Sequence, residues 1–473
     1  MSKTFLESGL SNQEAVFNLL FRNAPDKNNW AVVSGTRDAV ELATKLGGQN
    51  ASFFESFLPE PSYKAFREWL ASVRFTGSIW AMEEGEITFP GQPIMIVQAP
   101  LIEAQLLETP MLCILNHQMA VATKASRVCR STTKPVSEFG SRRAHGPWAA
   151  EHGAKAAYIG GCANSSNLLG KVNFDVPCSG TMAHSYVTAF GCTPDMELTA
   201  FTTFIKSHYG EALVLLLDTY DTLRSGIENA ITAFKACGID DSYRPMYGVR
   251  LDSGDLAYLS IECRKLLDEA GLKECKITAS NSLDEYLIAD LERQNAAIDF
   301  YGVGDAIATS KHNPCFGNIY KLVQIGTQPV LKRTEDKGKL INPGFQRTYR
   351  IIKDNEFAID VTCLVNDTLS QRIEAGEAIL LRDEFDDTKT SIYPAGSYSY
   401  KILQKKMVED GRLVAPDISV HQKRAYYLEN LSRLNPTERR IINPHFHKVD
   451  ISDDLYSLKI KLLHDIQRQL NPR

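Results

Sequence analysis

Residues 177–185 read Pro177-Cys178-Ser179-Gly180-Thr181-Met182-Ala183-His184-Ser185. Hydroxyls on Ser179 and Thr181, with the bare backbone of Gly180, are the equipment of an anion site. Exposed N–H groups at a helix start point at negative charge. The alternating apolar run at 172–176 predicts a strand leading into this turn, with a helix beginning inside it. His184 then falls in the first turn of that helix, at a strand's C-terminal end. Taken alone, a single histidine there reads as structural. What other strand ends meet it decides the matter.

Five further stretches end a strand pattern in polar residues. They are Phe139-Gly140-Ser141-Arg142-Arg143-Ala144-His145, Asp218-Thr219-Tyr220-Asp221-Thr222 and Arg250-Leu251-Asp252-Ser253-Gly254-Asp255, then Ser280-Asn281-Ser282 and Gly302-Val303-Gly304-Asp305. Arginine forks and Gly/Ser loops suit a phosphorylated or carboxylated substrate, because their geometry matches planar anions. The carboxylates suit ribose hydroxyls or a magnesium ion carried by the substrate. Phe139 beside Arg142 is placed to stack on a flat heterocycle. Each group also has a plain structural reading. Phe139 reads as core, Arg142 and Arg143 as a salt-bridged loop pair, and Asp252 to Asp255 as a helix cap with a second acid. Gly302 and Gly304 suit any tight turn. Six such stretches at equivalent strand tips favour a phosphate-handling site.

The elements that must position them alternate. Strand patterns at 136–139, 172–176, 212–217, 246–250, 275–280 and 298–303 are separated by helical patterns, the first near 148–158. This rhythm predicts parallel strands with helical crossovers, closed or nearly closed into a barrel, whose working residues gather at the C-terminal tips. Before it come a strand and a helix within 13–50, an extended stretch at 79–99 and one long helix at 102–129. After it come extended runs at 319–325, 348–352 and 358–364 and helices near 420–434 and 455–470. We expect three segments, 1–112, 113–317 and 318–473, the outer two joining into one α+β side domain. His445 and His447 have no acid or cysteine at metal spacing and read as structural.

The 473 residues exceed one ordinary core. A formal charge of -5 and a pI near 6.1 leave no electrostatic footprint for nucleic acid or an anionic membrane. No apolar run approaches the roughly 20 residues that span a bilayer, and the first residues lack a signal peptide's apolar core. Ten cysteines are scattered without a C-x-x-C pair, which excludes the common zinc and redox patterns and points to reduced thiols in the cytoplasm.

At these residues the chain resembles nicotinate phosphoribosyltransferase. The stretches that match are Glu138 to Pro147, Ser179 to Ser185, Val249 to Leu256 and Phe316 to Leu322. The resemblance runs from about Phe5 into the C-terminal segment. It implies a type II phosphoribosyltransferase fold, an irregular parallel α/β barrel beside an open-sheet domain. It implies an enzyme joining nicotinate to phosphoribosyl pyrophosphate in NAD synthesis, with magnesium and with ATP hydrolysis as the drive. The family's phosphorylated histidine falls on His184, and Asp218 falls where a related enzyme has the acid that orients it. By the same resemblance, nicotinate falls to Phe139, Arg142, Thr181 and Arg250. Phosphoribosyl pyrophosphate falls to Arg143, Asp252, Asp255, Ser280, Asn281, Gly302, Gly304 and Asp305. The family works as a dimer with sites shared across the interface.

Asn164-Ser165-Ser166-Asn167 holds no acid where a nicotinamide-using relative carries one, which favours the acid substrate. Two departures stand out. The chain starts just after the family's Asp-Leu-Tyr segment, whose tyrosine stacks on the neighbouring subunit's pyridine. It also has Asp305 where the family has threonine. The rival expectations are a nicotinamide- or quinolinate-using enzyme of similar fold and a non-catalytic nucleotide-binding relative.

Overall fold

The computed structural model describes residues 1–334, 339–383 and 388–470. The chain forms two compact units, Met1–Ala120 with Cys315–Arg473, and Val121–Pro314.

The second unit is built on six parallel strands: β1 (Val136–Glu138), β2 (Asn164–Ser165), β3 (Leu213–Leu216), β4 (Tyr247–Leu251), β5 (Lys276–Ser280) and β6 (Phe300–Val303). Their spatial order is β2-β1-β6-β5-β4-β3. The register aligns Ser165 with Glu138, Glu138 with Val303, Gly302 with Ser280 and Thr278 with Arg250. Parallel direction and aligned register together put every C-terminal tip on one rim. Leu215, Val249, Leu251, Ile277, Ala279, Tyr301 and Val303 are buried, each apolar side chain of that size contributing about 1.5–3 kcal/mol on leaving water.

Between β2 and β3 the curled sheet is not closed by a strand. Residues 177–181 span that gap. Cys178 makes a single parallel bridge to Ser165, and the Thr181 hydroxyl donates to Val214 O at 3.1 Å.

The expected strand at 172–176 is instead a helix, Leu168–Phe174. Asn167 caps it by accepting the Gly170 N–H at 2.8 Å, and Asp175 ends it at φ 60. Three alternating apolar residues are too few to separate a strand from one helical turn, and the cap decides. The expected helix at 102–129 is also two helices, Leu101–Leu106 and Glu108–Arg130. Pro110 has no N–H to give the Leu106 carbonyl, so the ladder breaks and restarts at Leu107.

In the first unit, N- and C-terminal strands share a seven-stranded antiparallel sheet. Glu14–Phe21 lies between Asn318–Ile325 and Met95–Pro100, and Gln404–Glu409 pairs with Ser78–Met82. A four-stranded sheet (Ser399–Ile402, Gln346–Lys353, Glu356–Leu364, Val449–Ile451) accompanies it. Arg350 lies fully buried in that sheet, bonded to Glu86 at 2.6 Å and Asp360 at 2.7 Å. His447 stacks on Phe89 with ring centroids 4.0 Å apart, between Glu438 at 3.1 Å and Asp360 at 3.6 Å. Its structural reading holds. Among the described residues, no helix is long and apolar enough to cross a membrane.

Candidate active site

His184 is the first residue of the helix His184–Ala189, reached from the gap-spanning segment rather than from a strand. Its Nδ1 lies 3.2 Å from Thr219 Oγ1, just beyond β3. Its Nε2 lies 3.8 Å from Asp218 Oδ1 and 3.7 Å from Asp252 Oδ2, at the tips of β3 and β4. Asp218 is anchored by the Ser253 hydroxyl, which donates to Oδ2 at 2.5 Å. Asp252 accepts a short hydrogen bond from Ser280 Oγ, at the end of β5. One imidazole therefore faces two carboxylates held by separate strand tips. Asp218 is the partner that the resemblance implies, and the geometry adds Asp252 and Thr219.

Arg250, in β4, donates from Nη2 to Met182 O at 2.8 Å. Burial pushes its guanidinium down from the ordinary arginine value; Asp252 and Asp218 pull it back, and Arg142's like charge pushes it down further. These four charged groups share one electrostatic neighbourhood. Among the described residues, two buried atoms here have no hydrogen-bond partner, Asp218 Oδ1 and Arg250 Nε. Burying such atoms unpaired costs free energy.

The loop after β1 lies beside β6. A Cβ on Gly302 would come within 2.6 Å of the Phe139 ring, and one on Gly140 within 2.5 Å of Gly304 O. Gly302 is thus the seat on which the half-exposed Phe139 ring rests. Arg142 and Arg143 project into solvent from the turn Ser141–Arg143. Among the described residues, neither makes an ion pair, which sets aside the salt-bridged alternative.

Three acids at the rim prove to have local work. Asp255 caps Leu256–Glu269 by accepting the Tyr258 N–H at 3.0 Å. Asp221 accepts the Leu223 and Arg224 N–H groups at 3.1 and 2.9 Å. Asp305 opens the short helix Asp305–Ala308 with Lys311 Nζ 3.7 Å away, so a cation tempers its charge. Asn281 is exposed at φ 77, and Gly304 accepts the Ala308 N–H at 3.1 Å. Glu138, which opens a matching stretch but has no role in the sequence analysis, is a buried acid at the tip of β1.

The N-terminal-domain model of nicotinate phosphoribosyltransferase (NAPRTase) matches residues 1–116, and the C-terminal-domain model matches residues 345–459. The nicotinate phosphoribosyltransferase of Bacillus subtilis (strain 168) is 37% identical over 99% of this chain and 94% of its own length. The chain belongs to the nicotinate phosphoribosyltransferase family. The human nicotinate phosphoribosyltransferase is 31% identical over 97% of this chain and 94% of its own. A crystal structure of human nicotinic acid phosphoribosyltransferase superposes with a TM-score of 0.82 at 28% identity, covering 98% of both chains. A Pyrococcus furiosus nicotinate-nucleotide pyrophosphorylase shares the fold at TM-score 0.64 and 23% identity, over 91% of this chain and 92% of its own. A curled parallel half-barrel sheet together with antiparallel sheets is therefore the architecture of nicotinate phosphoribosyltransferase.

Proposed function

We propose that the chain joins nicotinate to phosphoribosyl pyrophosphate, giving nicotinate mononucleotide and pyrophosphate for NAD synthesis, and that ATP drives this by phosphorylating His184. The observation that supports the reading is the imidazole clasped by Thr219, Asp218 and Asp252 on the same rim as Arg250 and Arg142, in a chain of this family.

The unprotonated ring nitrogen of His184 supplies the lone pair. It attacks the γ-phosphorus of ATP, the N–P bond forming as the bond to the β-phosphate oxygen breaks and ADP leaves; water later cleaves the N–P bond, releasing inorganic phosphate and restoring the imidazole. In the transfer itself, the anomeric C–O bond breaks with its electron pair going to pyrophosphate, and the pyridine nitrogen donates the new C–N pair. Positive charge grows on the ribose and negative charge on the leaving group. Positioning and fixed charges therefore carry the catalysis. Arg142 and Arg250 meet the nicotinate carboxylate, Phe139 the ring face, and Thr181 borders that pocket. Arg143, Ser280, Asn281 and the Gly302-Val303-Gly304 turn meet the phosphoribosyl moiety.

Magnesium fits the donor set, since Asp218 Oδ1 is orphaned and Asp252 is half-buried. Among the described residues no group of three or more His, Cys, Asp or Glu is placed to hold a metal. The ion would therefore arrive with the polyphosphate, where it neutralises charge. We take the working form to be a cytoplasmic homodimer with shared sites. Ten free thiols and the apolar exposure of Leu168, Leu169 and Val172 beside the rim support this.

The test is product formation from nicotinate and phosphoribosyl pyrophosphate, with and without ATP. Wild type gives product and ATP raises it. His184→Ala loses the ATP stimulation and most of the product. ATP stimulation that survives in His184→Ala sinks the phosphohistidine step. Faster turnover of nicotinamide or quinolinate sinks the choice of substrate, and pyridine binding without turnover marks a non-catalytic relative.

A further inference from the structure

Glu138 takes no part in the steps above, yet its placement is unusual. Its carboxyl is 2% exposed, and among the described residues no cation pairs with it. Oε2 accepts the Ser165 hydroxyl at 2.6 Å, and Oε1 accepts a short hydrogen bond from the Gly140 N–H. Ser165 Oγ in turn accepts the Asn167 N–H at 3.0 Å, and Asn167 Nδ2 donates to Ser141 Oγ at 2.9 Å. The chain of bonds runs from Glu138 through Ser165 and Asn167 to Ser141, which is covalently joined to Gly140. It closes a ring around the loop that carries Phe139 and Arg142. A buried carboxyl without a counter-charge costs free energy, and burial holds this one above the usual glutamate range against the bonds from Ser165 and Gly140. Strand β1 does not need an acid at its tip. The two donors do.

We propose that Glu138 is a positioning residue, holding Gly140 and Ser165 so that the Phe139 ring and the Arg142 guanidinium stay aimed at the pyridine acid. This rests on the reading that Phe139 and Arg142 meet nicotinate. The loop is hemmed in on both sides, because a Cβ on Gly140 would come within 2.4 Å of Ala308 Cβ and 2.8 Å of Glu138 Oε1.

The experiment is steady-state kinetics with nicotinate varied, for wild type, Glu138→Met, Glu138→Gln, Ser165→Ala and Arg142→Ala. Glu138→Met keeps the volume and removes both acceptors. Its KM for nicotinate is expected to rise about tenfold while kcat stays within about threefold. Glu138→Gln keeps an acceptor for the Gly140 N–H and should stay within about threefold of the wild-type KM. A rise as large for Glu138→Gln as for Glu138→Met, or a loss confined to kcat, overturns the proposal. Should Glu138→Met fail to fold, Ser165→Ala decides. Removing that one hydroxyl should raise KM about fivefold at unchanged kcat, and an unchanged KM overturns the idea. Arg142→Ala separates the two levels. If it leaves KM alone, the loop does not meet nicotinate and both readings fall. If it raises KM and Glu138→Met does not, the positioning role alone falls.

Discussion

The imidazole of His184 is useful because its two nitrogens meet different chemistry. Nδ1 touches a hydroxyl and Nε2 faces two acids. Thr219→Val keeps the shape of the threonine and removes that hydroxyl, freeing the ring to turn. We expect ATP stimulation to fall about tenfold, with the thermal unfolding midpoint little changed, a loss of roughly one hydrogen bond's worth of positioning. Coupled nucleotide assays with and without ATP read this directly. Arg250 gives a second prediction. A lysine at its place keeps the charge and loses the fork that matches a planar carboxylate. Arg250→Lys should therefore raise the KM for nicotinate at least about tenfold. An unchanged KM would remove Arg250 from the pyridine subsite.

At the scale of strands, loops and helices, the acids after the strands divide into two kinds. Asp218 and Asp252 face the histidine, while Asp255 and Asp221 are spent on helix starts. Asp255→Ala should therefore cost about 1 kcal/mol in urea unfolding and leave the KM for phosphoribosyl pyrophosphate near the wild-type value. A large rise in that KM would show that Asp255 serves the substrate site as well as the cap. The same cap geometry shows why residues 172–176 misled. Their alternation is real, but Asn167 starts a helix before the strand can form. The parallel strands β3 to β6 were legible because each is a longer apolar run bounded by turn residues. The two-residue β2 and the lone Cys178 bridge carry no pattern at all.

For the whole molecule, stability rests on charges that water never reaches. In the second unit Lys124 and Arg127 share Glu285, all at most 1% exposed, at 2.9 Å each. Glu285→Leu strips that carboxylate from two buried cations and should cost about 3–5 kcal/mol by chemical unfolding. In the first unit, burial pushes the His447 imidazole down, but Asp360 and Glu438 outweigh it and the net is a raised value. A raised folded value contributes stability fully present below the unfolded histidine's pKa of about 6.5 and lost as pH rises through the folded one. Asp360 is held well below the usual aspartate range, with burial opposing and Arg350 prevailing. Its contribution is present above the ordinary aspartate pKa and lost in acid. Unfolding midpoints should therefore fall from pH 6.5 upward, and His447→Gln should flatten that slope. An identical slope in the variant would remove His447 as its source.

The amino-acid order alone determined the polar stretches, the βα rhythm that orders them and the resemblance that singles out His184, because hydrophobic period and local motif are written in neighbouring residues. Only the tertiary structure decided which acids reach the imidazole, which cap helices, and that Glu138 grips the loop before Arg142. Those choices depend on the register of parallel strands, which brings together residues far apart in the chain and leaves no mark in the spacing of any one segment.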